Sequence, residues 1–111
     1  MKFRHLGNSN LSVSEVGIGC NNFGGRLDAA GSRAVIHAAL DSGITLFDTA
    51  DVYGERGGSE TLMGQVLGER RKDIVLATKF GMAMDEAGKL KGGSRRYIMS
   101  AVEASLRRLR T

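Results

Sequence analysis

Residues 44–79 read ITLFDTADVYGERGGSETLMGQVLGERRKDIVLATK, and this stretch decides the architecture. Residues 44–48 form an apolar run that closes on Asp48, the mark of a short buried strand. A polar, glycine-containing loop over residues 49–58 follows. A helix over residues 59–68 then places Leu62, Met63, Val66 and Leu67 on one face. Residues 74–79 are nearly continuous apolar up to Lys79, as expected of a strand covered on both sides. Strand, helix and strand at this spacing make a βαβ unit with parallel strands and a right-handed crossover.

The same pattern extends in both directions. Upstream, residues 3–6, the turn 7–10 and residues 11–13 read as a hairpin, and residues 16–19 as a further strand. A Gly- and Asn-rich loop over 21–31 leads to a helix over 33–41, with Ser32 as the expected cap and Gly43 as the stop. Downstream, a loop over 80–93 precedes a helix over residues 94–110. Its Ile98, Val102, Leu106 and Leu109 form an apolar stripe at helical spacing. The fold class is therefore α/β: a hairpin, then strand and helix three times over.

Length and composition bound the function. A chain of 111 residues fits one domain, and 41% hydrophobic with 25% charged residues suits a folded globular chain. No apolar run is long enough to span a bilayer, and the N-terminus has no apolar signal-peptide core, so no membrane partner is expected. The lone Cys20 excludes an internal disulfide and fits a reducing, cytoplasmic setting. The net charge of +4 is concentrated: residues 89–111 carry seven basic side chains against the single acid Glu103. Without interleaved aromatics or a nucleic-acid motif this predicts no nucleic-acid partner, and no Cys/His cluster has metal-ligand spacing.

In a parallel βα sheet the strands end at one edge, where ligands bind. The strand ends at issue are Asp48 and Lys79, with Tyr53 five residues beyond Asp48 in the loop above. If the two strands present the same alternate face, an acid and a base stand side by side there. A free phenol holds its proton to about pH 10, a nearby ammonium favours the phenolate, and a carboxylate holds that ammonium in place. Such a trio is suited to protonating a carbonyl oxygen. Spacing alone equally allows a structural ion pair beside an ordinary loop tyrosine.

The local sequence is more specific than the spacing. Residues Leu46-Phe47-Asp48-Thr49-Ala50-Asp51-Val52-Tyr53-Gly54 resemble the aldo-keto reductase signature. Gly58-Ser59-Glu60 with Leu62 and Gly64 resembles its continuation, and Ala77-Thr78-Lys79-Phe80-Gly81 the strand carrying the family's catalytic lysine. Val16-Gly17-Ile18-Gly19-Cys20 and Ser105-Leu106-Arg107-Arg108-Leu109 resemble the first strand and the end of the third helix, so the likeness covers essentially the whole chain.

The resemblance implies hydride transfer from a nicotinamide cofactor, usually NADPH, to a small-molecule aldehyde or ketone. By matching position, Tyr53 is the proton donor, Lys79 the cation that favours its phenolate, and Asp48 the partner of Lys79. Gly19, Cys20, Asn21 and Asp48 match the region near the nicotinamide end of the cofactor. Asn22, Arg26 and Phe80 are candidates for the substrate mouth. His5 and His37 match no catalytic position.

The family's fold is a (β/α)8 TIM barrel of roughly 250 residues or more. Residues 1–111 correspond to the hairpin and the first three βα units, and three strands cannot close a barrel. The chain is therefore expected to be an N-terminal fragment of one barrel domain. The catalytic histidine and the adenosine-phosphate loops would lie beyond Thr111, leaving the fragment inactive alone. Competing readings are a truncated interaction module or regulatory-subunit-like member that self-associates through open strand edges, an unrelated doubly wound domain, and a polyanion-binding basic helix.

Overall fold

The computed structural model describes all 111 residues. Two short strands at the N-terminus, β1 (Phe3–His5) and β2 (Ser12–Ser14), pair antiparallel with Phe3 opposite Ser14. The hairpin is fastened to the rest of the chain by a reciprocal exchange. The Ser14 N–H donates to Thr45 Oγ1 at 3.0 Å, and the Thr45 N–H donates to Ser14 Oγ at 2.9 Å.

Three strands form the parallel sheet in the order β3 (Gly17–Gly19), β4 (Leu46–Asp48), β5 (Val75–Ala77). Register places Ile18, Phe47 and Leu76 in one row, on the face that the helices cover, where Phe47 is completely buried. The opposite face carries Gly19, Asp48 and Ala77 in one row, and no layer packs on it. The expectation that the third βα strand is covered on both sides and runs to Lys79 is corrected. The strand ends at Ala77, Val75 and Leu76 are only half-buried and Ala77 is exposed, because β5 is an edge strand with helices on one face alone.

Helix α1 (Ala29–Asp41) begins earlier than its apolar pattern suggests. The Asp28 carboxylate, not Ser32, caps it by accepting the Gly31 N–H at 2.8 Å. Ser32 lies buried in the first turns, its hydroxyl donating to the Leu27 carbonyl at 3.3 Å. Helix α2 (Tyr53–Leu67) opens with a left-handed turn, Gly54, Glu55 and Arg56 having φ of 69°, 60° and 66°. Its right-handed part starts after Gly57, as expected, and buries Leu62, Met63 and Leu67 before a 3-10 turn over Gly68–Asp73. Helix α3 (Arg95–Leu109) is capped by Ser94, whose hydroxyl accepts the Tyr97 N–H at 3.2 Å.

The apolar stripe expected to seat α3 does not do so. Ile98, Val102 and Leu106 are 36%, 45% and 44% exposed, and of the stripe only Leu109 is buried. The seat is the adjacent row Ala101, Ser105 and Leu109. Small side chains win there because α3 meets α2 at Gly64, where a Cβ would fall on the carbonyl oxygen of Arg108. The core beneath joins α1, α2 and the sheet through Phe23, Ile36, Leu40, Phe47, Met63 and Leu67. No helix is long and apolar enough to cross a membrane.

Two substitutions check this packing by urea unfolding. Gly64→Ala, which forces backbone apart from backbone, should cost about 1–3 kcal/mol. Leu106→Ser should change stability by less than about 0.5 kcal/mol, the range of a surface exchange. A loss of about 2 kcal/mol or more at Leu106 would show that the stripe is core after all.

Candidate active site

Asp48 closes β4 on the uncovered face of the sheet, and Lys79 follows β5 by two residues. The ladder continues past the strand ends and aligns them. The Thr49 N–H donates to the Ala77 carbonyl at 2.9 Å, and the Asp51 N–H to the Lys79 carbonyl at 3.0 Å. On the other side the Cys20 N–H donates to the Asp48 carbonyl at 2.9 Å. The Lys79 ammonium thereby reaches Asp48 Oδ1 at 2.8 Å and donates to the Thr49 carbonyl at 2.7 Å. It also stands 5.0 Å from the centre of the Tyr53 ring, within reach of a cation–π attraction.

Burial works against the Lys79 charge, but the hydrogen bond and charge of Asp48, with Tyr53 adding to them, outweigh it. The lysine pKa is raised, so the ammonium is complete at neutral pH. What the pair adds to stability is fully present below the ordinary lysine range and lost only as pH rises through the raised value. Both side chains are about half exposed, 48% for Lys79 and 50% for Asp48, so the pair is a positioned charge more than a source of stability.

Tyr53 is placed by the turn that follows it. Its N–H donates to the Ala50 carbonyl at 3.2 Å, and the chain then reverses through the left-handed turn at Gly54, Glu55 and Arg56. Only glycine fits at 54, because a Cβ would fall on the Phe23 carbonyl oxygen and the Ser59 nitrogen. Glu55 and Arg56 hold a left-handed conformation that costs side-chain-bearing residues energy, a local strain beside the tyrosine.

The structure thus brings Asp48, Tyr53 and Lys79 together. Gly19, the register partner of Asp48, lies exposed on the same uncovered face, and Asn21 is exposed in the loop beyond. Cys20 turns into the core. Its thiol donates to the Ile18 carbonyl at 3.6 Å and is pushed up to about 12, chiefly by burial, so only its backbone belongs to the loop. Phe80 is exposed and lines, with Thr78 and Lys79, a hollow of about 230 Å³ reaching Ile98 and Val102. The side chains of Asn22 and Arg26 make no polar contact with Asp48, Tyr53 or Lys79.

Sequence reasoning missed the polar residues beneath the site. Glu60 is completely buried; its Oε1 accepts the Thr78 hydroxyl and its Oε2 accepts Arg108 Nε, both at 2.6 Å. Ser59 is also completely buried. Its hydroxyl donates to the Cys20 carbonyl at 2.8 Å and lies 2.9 Å from Thr49 Oγ1. The signal was present, since Glu60 shares the i, i+3, i+7 row of Met63 and Leu67, and an acid on a buried row needs a partner.

Asp51, buried beside this network, has its pKa raised, mainly by burial and then by the Glu60 charge, with Arg108 opposing. A carboxyl whose folded-state pKa is raised destabilises the fold once ionised. Asp51→Asn should therefore raise Tm at pH 7. The gain should vanish as pH falls below the ordinary aspartate value of 3.8. Thermal melts across that range check it, and a Tm lowered at pH 7 but not in acid would reverse the assignment.

The chain is similar to known proteins in both sequence and fold. The family model described as "Aldo/keto reductase family" matches residues 15–111. The "Uncharacterized oxidoreductase YqkF" of Bacillus subtilis (strain 168) is 42% identical over 113 residues, covering 100% of this chain and 36% of that protein. A protein of Oryza sativa subsp. japonica named "Probable voltage-gated potassium channel subunit beta" is 38% identical over 116 residues, covering 98% of this chain and 34% of its own length. Among solved structures, the holo form of the aldo-keto reductase AKR11C1 from Bacillus halodurans superposes with a TM-score of 0.87 at 45% identity, across 100% of this chain and 37% of that one. The chain spans about a third of the length of these relatives, and the α/β arrangement of three helices and five strands matches part of their barrel. With its signature residues assembled as described, the chain belongs to the aldo/keto reductase family.

Proposed function

We propose that residues 1–111 supply the proton-donating half of a carbonyl reductase, as the N-terminal portion of a single barrel domain. The observation that carries this reading is the Lys79 ammonium, held 2.8 Å from Asp48 and 5.0 Å from the Tyr53 ring centre. When an aldehyde or ketone is reduced, its oxygen takes up a proton as hydride reaches the carbon. Tyr53 gives that proton, Lys79 faces the phenolate left behind, and Asp48 keeps Lys79 charged and in place.

The uncovered face of the sheet suits a flat nicotinamide ring. Gly19 offers no side chain there, and a Cβ built on it meets nothing nearer than Asn21 Oδ1 at 4.0 Å. Gly19, Asn21 and Asp48 would hold the ring of NADPH, with Cys20 contributing backbone only. The cofactor, when bound, supplies the hydride. A buried single thiol and this chemistry fit a cytoplasmic enzyme.

A second reading draws on the exposed stripe Ile98, Val102 and Leu106 and the open edge of β5. These surfaces would let the chain act as an interaction module or self-associate, as a regulatory-subunit-like member of the family. Catalysis is favoured because Asp48, Tyr53 and Lys79 are all present and in contact range.

The test joins residues 1–111 to the remaining length of the Bacillus subtilis relative and follows NADPH oxidation with a simple aromatic aldehyde. Turnover is expected, with Tyr53→Phe lowering kcat about 10²–10⁴-fold, the usual share of general acid catalysis. Undiminished turnover in Tyr53→Phe contradicts the reading. The 111-residue chain alone should give no turnover, because its half-exposed Lys79 and Asp48 leave water at the reacting position.

A further inference from the structure

We propose that Ser59 and Glu60 are positioning residues of the site, two consecutive side chains that fix all three strand ends and thereby set Lys79 against Asp48 and Tyr53. The inference rests on the proton-donor reading above and goes beyond it. Both residues are completely buried at the start of the right-handed part of α2, and neither touches the reacting groups directly.

Proton bookkeeping fixes the direction of each contact. Ser59 has one hydroxyl proton, and it goes to the Cys20 carbonyl just after β3. Thr49 must then be the donor in the 2.9 Å contact between the two hydroxyls. That ties the residue after Asp48 to the same side chain. The carbonyl of this Thr49 in turn accepts the Lys79 ammonium at 2.7 Å. Ser59 therefore sets the height of one of the two acceptors that hold Lys79.

Glu60 controls the other approach. Its Oε1 accepts the hydroxyl of Thr78, the residue before Lys79, while its Oε2 is taken by Arg108 from α3. An ionised carboxylate without solvent needs both partners, and the bond to Thr78 is charge-assisted and directional. Past Ala77 the backbone is held by the ladder bonds at Ala77 and Lys79, and the Thr78 hydroxyl adds a tie to α2. The Thr78 contact therefore stops this exposed end from turning its lysine away from Asp48.

A purely structural role would let Thr78 and Arg108 satisfy Glu60 without any effect on how tightly Lys79 is held. The two roles separate by trace acetylation of the folded chain near pH 8.5, with each lysine's rate read by mass spectrometry. Lys2, Lys72, Lys89 and Lys91 serve as internal references. An amine held as a paired ammonium reacts slowly, and Asp48→Asn should speed Lys79 by releasing it. Thr78→Val keeps the side-chain shape at an exposed position and cuts only the Glu60 arm, while Ser59→Ala cuts the other. Each should raise the Lys79 rate roughly threefold or more, equivalent to half a pKa unit. Thr78→Ser should restore the slow rate. Ile36→Val, a destabilising core change away from these contacts, should leave it unchanged.

If Thr78→Val and Ser59→Ala lower Tm yet leave the Lys79 rate at its original value while Asp48→Asn raises it, the positioning role is wrong and the site reading stands. If Asp48→Asn itself leaves the rate unchanged, the ion pair is absent and the site reading falls with the proposal.

Discussion

A carboxylate sealed from water is the constraint on which the rest of this structure depends. Glu60 is completely buried with both oxygens engaged, one by Thr78 and one by Arg108. Removing Arg108, its charged partner, would leave the carboxylate uncompensated, a loss that typically costs about 3–5 kcal/mol. The charge can be met only if α3 lies against α2 and the β5 segment extends to Thr78. Close approach of the helices at Gly64 satisfies the first condition, and the ladder bond from Thr49 to Ala77 the second. Fold and site are thus joined at one residue. The contact that lets α3 pack also fixes the segment carrying Lys79.

Much of this was legible in the residues, for physical reasons that differ from one element to the next. Asp48 and Lys79 could be placed together because parallel strands share a direction and both runs close on a charged residue. The helices could be read from their periodicity. The start of α1 could not, because Gly31 looks like loop while the Asp28 carboxylate in fact caps it. The face of α3 was misread for a deeper reason. Periodicity shows that Ile98, Val102 and Leu106 share a side, but only a partner decides whether that side is buried, and Gly64 selects the smaller row beside it. The left-handed turn after Tyr53 was hidden because Glu55 and Arg56 seldom adopt positive φ; tight packing around Gly54 accompanies it.

The surfaces left open have a common logic. The edge of β5 and the stripe on α3 are both places where a parallel strand–helix array could accept another unit, while the row Gly19, Asp48 and Ala77 faces away from the helices. The basic residues of α3 belong to the same picture. Arg108 turns inward to Glu60, whereas Arg107 pairs along its own helix with Glu103 at 4.0 Å. The positive charge of this segment therefore has a partly structural use, which weakens the case for a polyanion partner.

The central claim is that residues 1–111 by themselves bring Asp48, Tyr53 and Lys79 together. Nuclear Overhauser contacts in the 111-residue chain test it most directly. With Lys79 Nζ 5.0 Å from the Tyr53 ring centre, cross-peaks between the Tyr53 ring protons and the Lys79 ε-methylene are predicted. Sharp Lys79 resonances at unstructured shifts, with no such cross-peaks in a chain that is otherwise folded, would contradict it.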